Sequence, residues 1–258
     1  MKKNNLLVGD EVEFKLDEKT NEYVIIKSLE RKNQLIRPFV CNITNLFIVL
    51  SCEPIPDLLL IDKLILNAKM NNITPILVIN KIDIDKTLIN VIKKEYEKSN
   101  VLILEVSSKT GENINKIENL LKNNINAFAG QSGTGKTSLI NRICNINRKV
   151  NVLSEKIMRG KNTTTNAELI VLEKNTFVLD TAGFTKLEFE KLEPELIKFY
   201  YPEFENNNCN FNNCNHIFEG EKYCSILRNI GKYINKNRYE RYKQIFLESK
   251  ENWSKRYD

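Results

Sequence analysis

Glycine is scarce, with nine residues in a chain of 258. That excludes a collagen-like repeat, and it makes the placement of each glycine informative. Six of the nine (Gly111, Gly130, Gly133, Gly135, Gly160 and Gly183) fall inside the short motifs described below. Long apolar runs are also missing. No stretch approaches the roughly 20 residues needed to span a bilayer, and Met1-Lys2-Lys3-Asn4-Asn5 leads into no signal-peptide apolar segment. A soluble, cytoplasmic protein that stays off membranes is expected. Histidine occurs once, at His216, and six cysteines are too few for a disulfide-dense mini-protein. Hydrophobic residues make up 41%, enough for a buried core and against a chain disordered throughout. The abundance of Lys, Asn and Ile reads as the imprint of an AT-rich genome.

The length allows one large domain or two to three small ones. The formal net charge is +6, and residues 222–258, with ten basic and four acidic side chains, account for all of it. A basic tail on a neutral body points to a polyanionic partner, and a solvated charged helix explains the same composition.

Two strands are expected near the start, in Val8–Phe14 and Tyr23–Ile26, with a turn-rich Asp17–Asn21 between them. Arg31–Arg37, closed by Pro38, reads as a linker. The pattern then changes to apolar strands (46–50, 76–79, 101–106, 127–129, 169–172, 177–179) alternating with helices (57–70, 86–98, 113–122 and one from Lys136). Continuous apolar strands separated by helices predict a parallel sheet covered on both faces. From about Leu187 the chain is expected to be helical, interrupted by an Asn- and Cys-rich stretch over 206–224.

Gly130-Gln131-Ser132-Gly133-Thr134-Gly135-Lys136-Thr137, followed by Ser138, fits G-x-x-x-x-G-K-[ST]. The glycines let backbone N–H groups close around phosphate oxygens at a helix N-terminus. Lys136 reaches the outer phosphates and the Thr137 hydroxyl ligates Mg²⁺. Asn80-Lys81-Ile82-Asp83 follows a strand, and a carboxylate at Asp83 can accept both the N1–H and the amino hydrogen bonds of guanine. Adenine has no matching donor pair. Ser107, Ser108 and Lys109, ending the next strand, fit a second base-binding loop. Asp180-Thr181-Ala182-Gly183 fits D-x-x-G, with Asp180 holding Mg²⁺ through water and Gly183 sensing the γ-phosphate. Between these lies Arg159-Gly160-Lys161-Asn162-Thr163-Thr164-Thr165. A hydroxyl of that run, assigned to Thr164, completes the Mg²⁺ shell in the triphosphate state, and Thr163, Thr165 and Gly183 are the switch positions.

GTPases ordinarily run phosphate loop, switch threonine, D-x-x-G, N-K-x-D, second base loop. Here the base motifs come first and the phosphate motifs follow, so the sequence resembles a circularly permuted GTPase. Downstream, Cys209, Cys214, His216 and Cys224 place three thiols and one imidazole within 16 residues, a spacing that suits one closed structural Zn²⁺ site. Incidental cysteines in an Asn-rich loop are the alternative. Cys41, Cys52 and Cys144 sit near apolar positions and are expected to be plain core residues.

Together, Val8-Gly9-Asp10, Arg37-Pro38, the 46–51 strand, Asn80–Asp83, Gly130–Thr137, Gly160–Thr165, Asp180–Phe184 and the cysteine cluster resemble the RsgA (YjeQ) family of small-subunit ribosome biogenesis GTPases. The resemblance implies an α/β fold in three parts. These are an N-terminal OB-type β-barrel (residues 1–37), a circularly permuted P-loop GTPase core (38–187) and a small C-terminal α-helical zinc domain (188–258). It implies a monomer that binds the small ribosomal subunit and its rRNA, hydrolyses GTP to GDP and phosphate, and leaves after hydrolysis. Permuted GTPases of large-subunit assembly and GTP-sensing RNA-binding modules are the rival readings.

Departures from the family pattern are informative. Only seven residues precede Val8, so the expected five-stranded barrel is incomplete: either its start lies upstream or the domain is reduced. The spacing from His216 to Cys224 is long, and Ala182 stands in place of a proline. Asn162 stands where the family has a histidine, and Phe184 occupies the position at which other GTPases use a water-orienting glutamine. Asn162 can orient water without taking its proton, or it can simply shape its loop. With Lys136 it forms the expected catalytic pair, giving a slow basal rate stimulated by the small subunit. In the tail, Tyr239, Tyr242 and Phe246 share one helical face, expected to pack on the protein and leave the interleaved cations, including Arg238 and Arg241, for RNA.

Overall fold

The computed structural model describes residues 6–35, 39–150, 167–181, 193–205 and 208–255. Two short ribbons open the chain. β1 (Val12–Asp17) and β2 (Glu22–Ser28) pair antiparallel through a turn with Asn21 at φ 54°, and β3 (Gln34–Leu35) pairs with β4 (Val40–Cys41). The first strand begins later than its alternation suggests, because Val8 instead forms an isolated bridge with Val40. A barrel is not what the described residues form. Four strands, two of them only two residues long, cannot close a five-stranded cylinder, and Phe14, Tyr23, Val24 and Ile26 remain exposed on the first ribbon. The ribbons are tied together by Asp10, whose carboxylate accepts from Arg31 Nε at 2.6 Å, Arg31 Nη2 at 2.8 Å and the Cys41 thiol at 3.1 Å.

The sheet follows. Along the chain come β5 (Asn45–Ser51), α1 (Leu58–Met70), β6 (Thr74–Asn80), α2 (Thr87–Tyr96), β7 (Leu102–Glu105), α3 (Ile114–Leu121), β8 (Ile125–Ala129), α4 (Lys136–Val150), β9 (Ala167–Glu173) and β10 (Thr176–Thr181). The strand order is β7-β6-β5-β8-β10-β9. The first five strands of that order are parallel, but β9 runs antiparallel to β10. The all-parallel expectation is therefore corrected at one edge, where two residues (Lys174 and Asn175, the latter at φ 61°) turn the chain into a hairpin too tight for a crossover.

Alternate residues of the buried strands face opposite ways, and each face has its own core. Leu46, Ile48, Leu50, Leu77 and Ile79 pack with Ile61, Leu64 and Ile65 of α1 and with Ile92 and Tyr96 of α2. Phe47, Val49, Val78 and Phe128 pack on the other side with Ile117 of α3 and Leu139 and Ile143 of α4, the Phe47 and Phe128 rings stacking at 5.0 Å. Cys41 and Cys144 are buried as expected, and Cys52 is half-buried.

After the sheet the chain is less helical than its composition suggests. Two 3₁₀ segments (Pro194–Tyr200 and Pro202–Phe204) lead to a single turn of helix, α5 (Ser225–Arg228), and to α6 (Lys236–Ser254), started by Asn235, whose side chain accepts from Arg238 N at 3.1 Å. Tyr239, Tyr242 and Phe246 are buried on one face of α6, as expected, in a third core that also takes in Leu66 of α1. The tail cations differ from the expectation. Arg238 Nη1 meets Asp62 at 2.5 Å and its Nε bonds Glu203. Arg241 meets Asp62 at 2.5 Å and Glu95 at 2.8 Å. These arginines weld α6 to α1 and α2 and are not free for RNA. Burial opposes the Arg238 charge, and Asp62 and Glu203 outweigh it, holding its pKa above the ordinary value. No helix among the described residues is long and apolar enough to cross a membrane.

Candidate nucleotide and metal sites

Strand order decides where a ligand can sit. Successive connections run one way from β5 (to β6, then β7) and the other way from β8 (to β10), so β5 and β8 flank a topological switch point. In open α/β sheets a crevice opens there, beyond the carboxyl ends of the strands. β8 ends at Ala129 and runs into Gly130–Gly135, which lead into α4. β6 ends at Asn80 and β7 leads to Ser107. Every base and phosphate motif of the described chain thus emerges at one rim. Gly130, at φ 126°, lies so close to β5 that a Cβ there would stand 2.2 Å from the Val49 carbonyl oxygen, so only glycine lets the loop lie down on the sheet.

The loops are stitched together by the side chains of the N-K-x-D motif. Asn80 Nδ2 donates to the Thr134 carbonyl at 3.0 Å and to Ser108 Oγ at 3.2 Å, while its Oδ1 accepts from Ser108 N at 3.0 Å. One amide therefore joins the phosphate loop to the second base loop. Lys81, at φ 64°, donates from Nζ to the Gly133 carbonyl at 2.8 Å and to the Glu53 carbonyl at 2.6 Å. Asp83 is exposed, and its Oδ1 accepts from Ser107 Oγ at 2.6 Å, a bond that lowers the carboxyl pKa and keeps it ionised as an acceptor. Lys109 is exposed beside it.

Lys136 is half-buried. Its ammonium donates to the Gly130 carbonyl at 2.8 Å and the Gln131 carbonyl at 2.6 Å, and burial lowers its pKa. Thr134 Oγ1 closes the loop on the Gln131 carbonyl at 2.9 Å. Ser132, Thr137 and Ser138 are exposed, the last two in the first turn of α4. Asp180 is in β10. Asn162, Thr163, Thr164, Thr165 and Gly183 lie outside the described residues. The motif reading missed two contacts. The Gln131 side chain accepts from Asp57 N, just ahead of α1, at 3.1 Å, and Glu53 contributes through its carbonyl; both join segments that no local pattern connects.

The cysteine cluster gathers as its spacing predicts. The ligand atoms of Cys209, Cys214, His216 and Cys224 all lie within 4.8 Å of one another. His216 Nδ1 is 3.6, 3.3 and 3.4 Å from the sulfurs of Cys209, Cys214 and Cys224, and the Cys209 and Cys224 sulfurs are 3.8 Å apart. A tetrahedral zinc with bonds of about 2.3 Å to sulfur and 2.0–2.1 Å to nitrogen needs edges of about 3.8 Å and 3.5 Å. The four side chains fit that ion, with Nδ1 as the coordinating nitrogen. Burial, followed by the nearby Lys198, pushes His216 down to about 4, so its ring is neutral. Around it, the Glu219 carboxylate accepts from Asn215, Ile217 and Phe218 backbone N–H groups at 3.0, 3.0 and 3.2 Å. The Tyr239 and Tyr242 hydroxyls of α6 donate to the His216 and Asn215 carbonyls at 2.8 and 2.7 Å.

Comparison with known proteins agrees with this architecture. The family model described as RsgA GTPase matches residues 28–190. A small ribosomal subunit biogenesis GTPase RsgA of Caldanaerobacter subterraneus is 39% identical over 268 residues, covering 99% of this chain and 88% of that protein. The protein of the same name from Thermotoga maritima is 37% identical, with 94% and 83% covered. Among solved structures, YjeQ from Thermotoga maritima superposes with a TM-score of 0.80 at 31% identity, covering 96% of this chain and 86% of that one. YloQ, described as a circularly permuted GTPase, gives 0.78 at 26% identity, with 97% and 83% covered. The permuted α/β core, the motifs at its switch point and these likenesses lead to one conclusion: the chain belongs to the RsgA GTPase family and is a GTP hydrolase.

Proposed function

We propose that this protein is a cytoplasmic GTPase that binds the small ribosomal subunit and its rRNA during late assembly and uses GTP hydrolysis to leave. The observation that carries the nucleotide half is the convergence of Asn80, Lys81, Asp83, Ser107 and the 130–137 loop at one rim of the sheet. The subunit half is supported by the names of relatives that align with nearly the whole chain.

In this reading, Asp83 accepts from the guanine N1–H and amino group, and the backbone of the Ser107–Lys109 loop donates to the guanine carbonyl. The phosphate-loop N–H groups and Lys136 surround the β- and γ-phosphates, with Thr137, Asp180 and Thr164 holding Mg²⁺. Held by those residues, Mg²⁺ would supply positive charge against the negative charge of the phosphates. Asn162 orients the attacking water. Phosphoryl transfer depends more on positioning than on a strong base, so an amide suffices there. Cys209, Cys214, His216 and Cys224 hold one structural Zn²⁺.

Co-sedimentation with separated small and large subunits, in a non-hydrolysable GTP analogue and in GDP, tests the reading. Binding confined to the small subunit and lost with GDP supports it; equal binding to both subunits, or none, refutes it. Asn162→Ala is expected to lose most of the subunit-stimulated single-turnover rate, while GTP affinity stays close to wild type. A stimulated rate within about twofold of wild type, a barrier change of under 0.5 kcal/mol, would show that Asn162 only shapes its loop.

A further inference from the structure

Arg142 lies on α4, the helix that starts in the phosphate loop, and no motif names it. Its guanidinium spans three successive carbonyls of the second base loop. Nη1 donates to Ser108 O at 3.1 Å and Lys109 O at 2.9 Å, and Nη2 donates to Thr110 O at 3.3 Å. Among the described residues no carboxylate pairs with it, and its Nε is buried without a partner. Among the described residues, the cation is therefore committed to these carbonyls.

The glycine that follows is cut to fit. Gly111 stands at φ 92°, and a Cβ there would lie 2.3 Å from Arg142 Nη2. Any other residue at 111 would push the guanidinium out.

A peptide unit is planar and trans, so the N–H of each residue points opposite to the carbonyl before it. Fixing the carbonyls of Ser108, Lys109 and Thr110 toward α4 turns the N–H groups of Lys109, Thr110 and Gly111 away from it. Thr110 N is taken by Ser107 Oγ at 3.0 Å and Gly111 N by Ser107 O at 2.9 Å. The Lys109 N–H has no acceptor among the described residues. It is the amide left over for a ligand, on the loop whose Ser107 also touches Asp83.

We propose that Arg142 is a positioning residue for guanine recognition: by gripping three carbonyls it aims the Lys109 N–H at the guanine carbonyl and holds the base loop in register with the phosphate loop. This rests on the base-site reading given above, and it adds a residue in contact with neither base nor phosphate.

The test measures binding of GTP, GDP and inorganic tripolyphosphate to the full chain carrying Arg142→Ala or Arg142→Lys, with Asp83→Asn in parallel. A single ammonium cannot span three acceptors, so both Arg142 variants are expected to weaken GTP and GDP about tenfold, Arg142→Lys somewhat less, while tripolyphosphate stays within about twofold. Arg142→Lys keeps the charge and most of the packing, and answers the question even where Arg142→Ala does not fold. Equal losses for GTP and tripolyphosphate would mean a general structural role and overturn the proposal. So would unchanged GTP binding in the Arg142 variants when Asp83→Asn loses guanine preference, which leaves the base site standing. Unchanged preference in Asp83→Asn would remove the base site itself, and the role of Arg142 with it.

Discussion

In the proposed base site, a single side chain, Asp83, is enough to select the base. Its carboxylate is exposed and braced by one hydroxyl, that of Ser107, and what matters is that it offers acceptors only. In Asp83→Asn a donor faces a donor. A hydrogen bond to a charged group contributes about 1.5–3 kcal/mol, so GTP affinity is expected to fall by at least tenfold while xanthine nucleotides, which present an acceptor at that position, bind better than GTP. Competition binding with GTP and XTP checks this. The grouping of Asp83 and Lys136 at one rim of the sheet, and of Cys209, Cys214, His216 and Cys224 in one cluster, was legible because such motifs have fixed short spacings. Asn80 as a clamp, Lys81 as a bridge to Glu53, and Arg142 were not, because each joins segments tens of residues apart that only the fold brings together.

The elements that set the position of the C-terminal module are α1, α2 and α6. Asp62 sits on α1 with its side chain fully buried between Arg238 and Arg241, and Lys63, next to it, pairs with Glu248 at 2.6 Å. Tyr96 and Tyr201 lie under the Arg238 guanidinium at 4.8 and 4.9 Å. Removing one partner of a buried pair leaves the other charge stranded, at a cost of about 3–5 kcal/mol. Asp62→Ala, which takes one carboxylate from each of two buried arginines and leaves them only Glu203 and Glu95, is expected to reach the low end of that range in urea unfolding, whereas Lys63→Ala, at a partly exposed pair, should cost about 1 kcal/mol or less. A loss for Asp62→Ala no larger than that for Lys63→Ala would show that the network contributes nothing. Periodicity made most of these elements legible, including the aromatic face of α6. It could not separate cations that face solvent from cations that face another helix, since a charge pattern carries no information about what packs against it. Likewise β9 was expected as a strand, but its antiparallel direction could not be read, since its apolar run reads alike in either direction.

At the scale of the whole molecule, the permuted order of the motifs was readable from the sequence, and the sheet order agrees with it. The truncated barrel that the resemblance implies is not confirmed: the described residues of that segment form two short ribbons, since alternation predicts strands without saying how many will meet. Zinc would act at this scale too, because the segment that the cysteine cluster folds is gripped by two hydroxyls of the terminal helix. Metal analysis is expected to find one Zn²⁺ per chain. Binding energy in such modules is folding energy, so chelation, or Cys209→Ser with Cys214→Ser, should lower the melting temperature and expose the buried Tyr239 and Tyr242 phenols to solvent. Retention of both properties in metal-free protein would contradict a structural role.

The central pair of strands also has a history in time. A ribosome releases β5, β6 and β7 first, and the strand that must lie along the other side of β5 is β8, whose first residue, Ile125, comes 74 positions after Ser51. Until then β5, buried along its whole length in the finished protein, presents an open edge, the kind that recruits other chains. Nascent chains halted at Lys122 should therefore aggregate more than those halted at Val150, and ultracentrifugation of the two fragments measures the difference. Permutation thus reassigns a hazard: it leaves the middle seam of the sheet open until β8 is made, and synthesis of the strand that carries the phosphate loop becomes the event that covers the edge of the strands made before it.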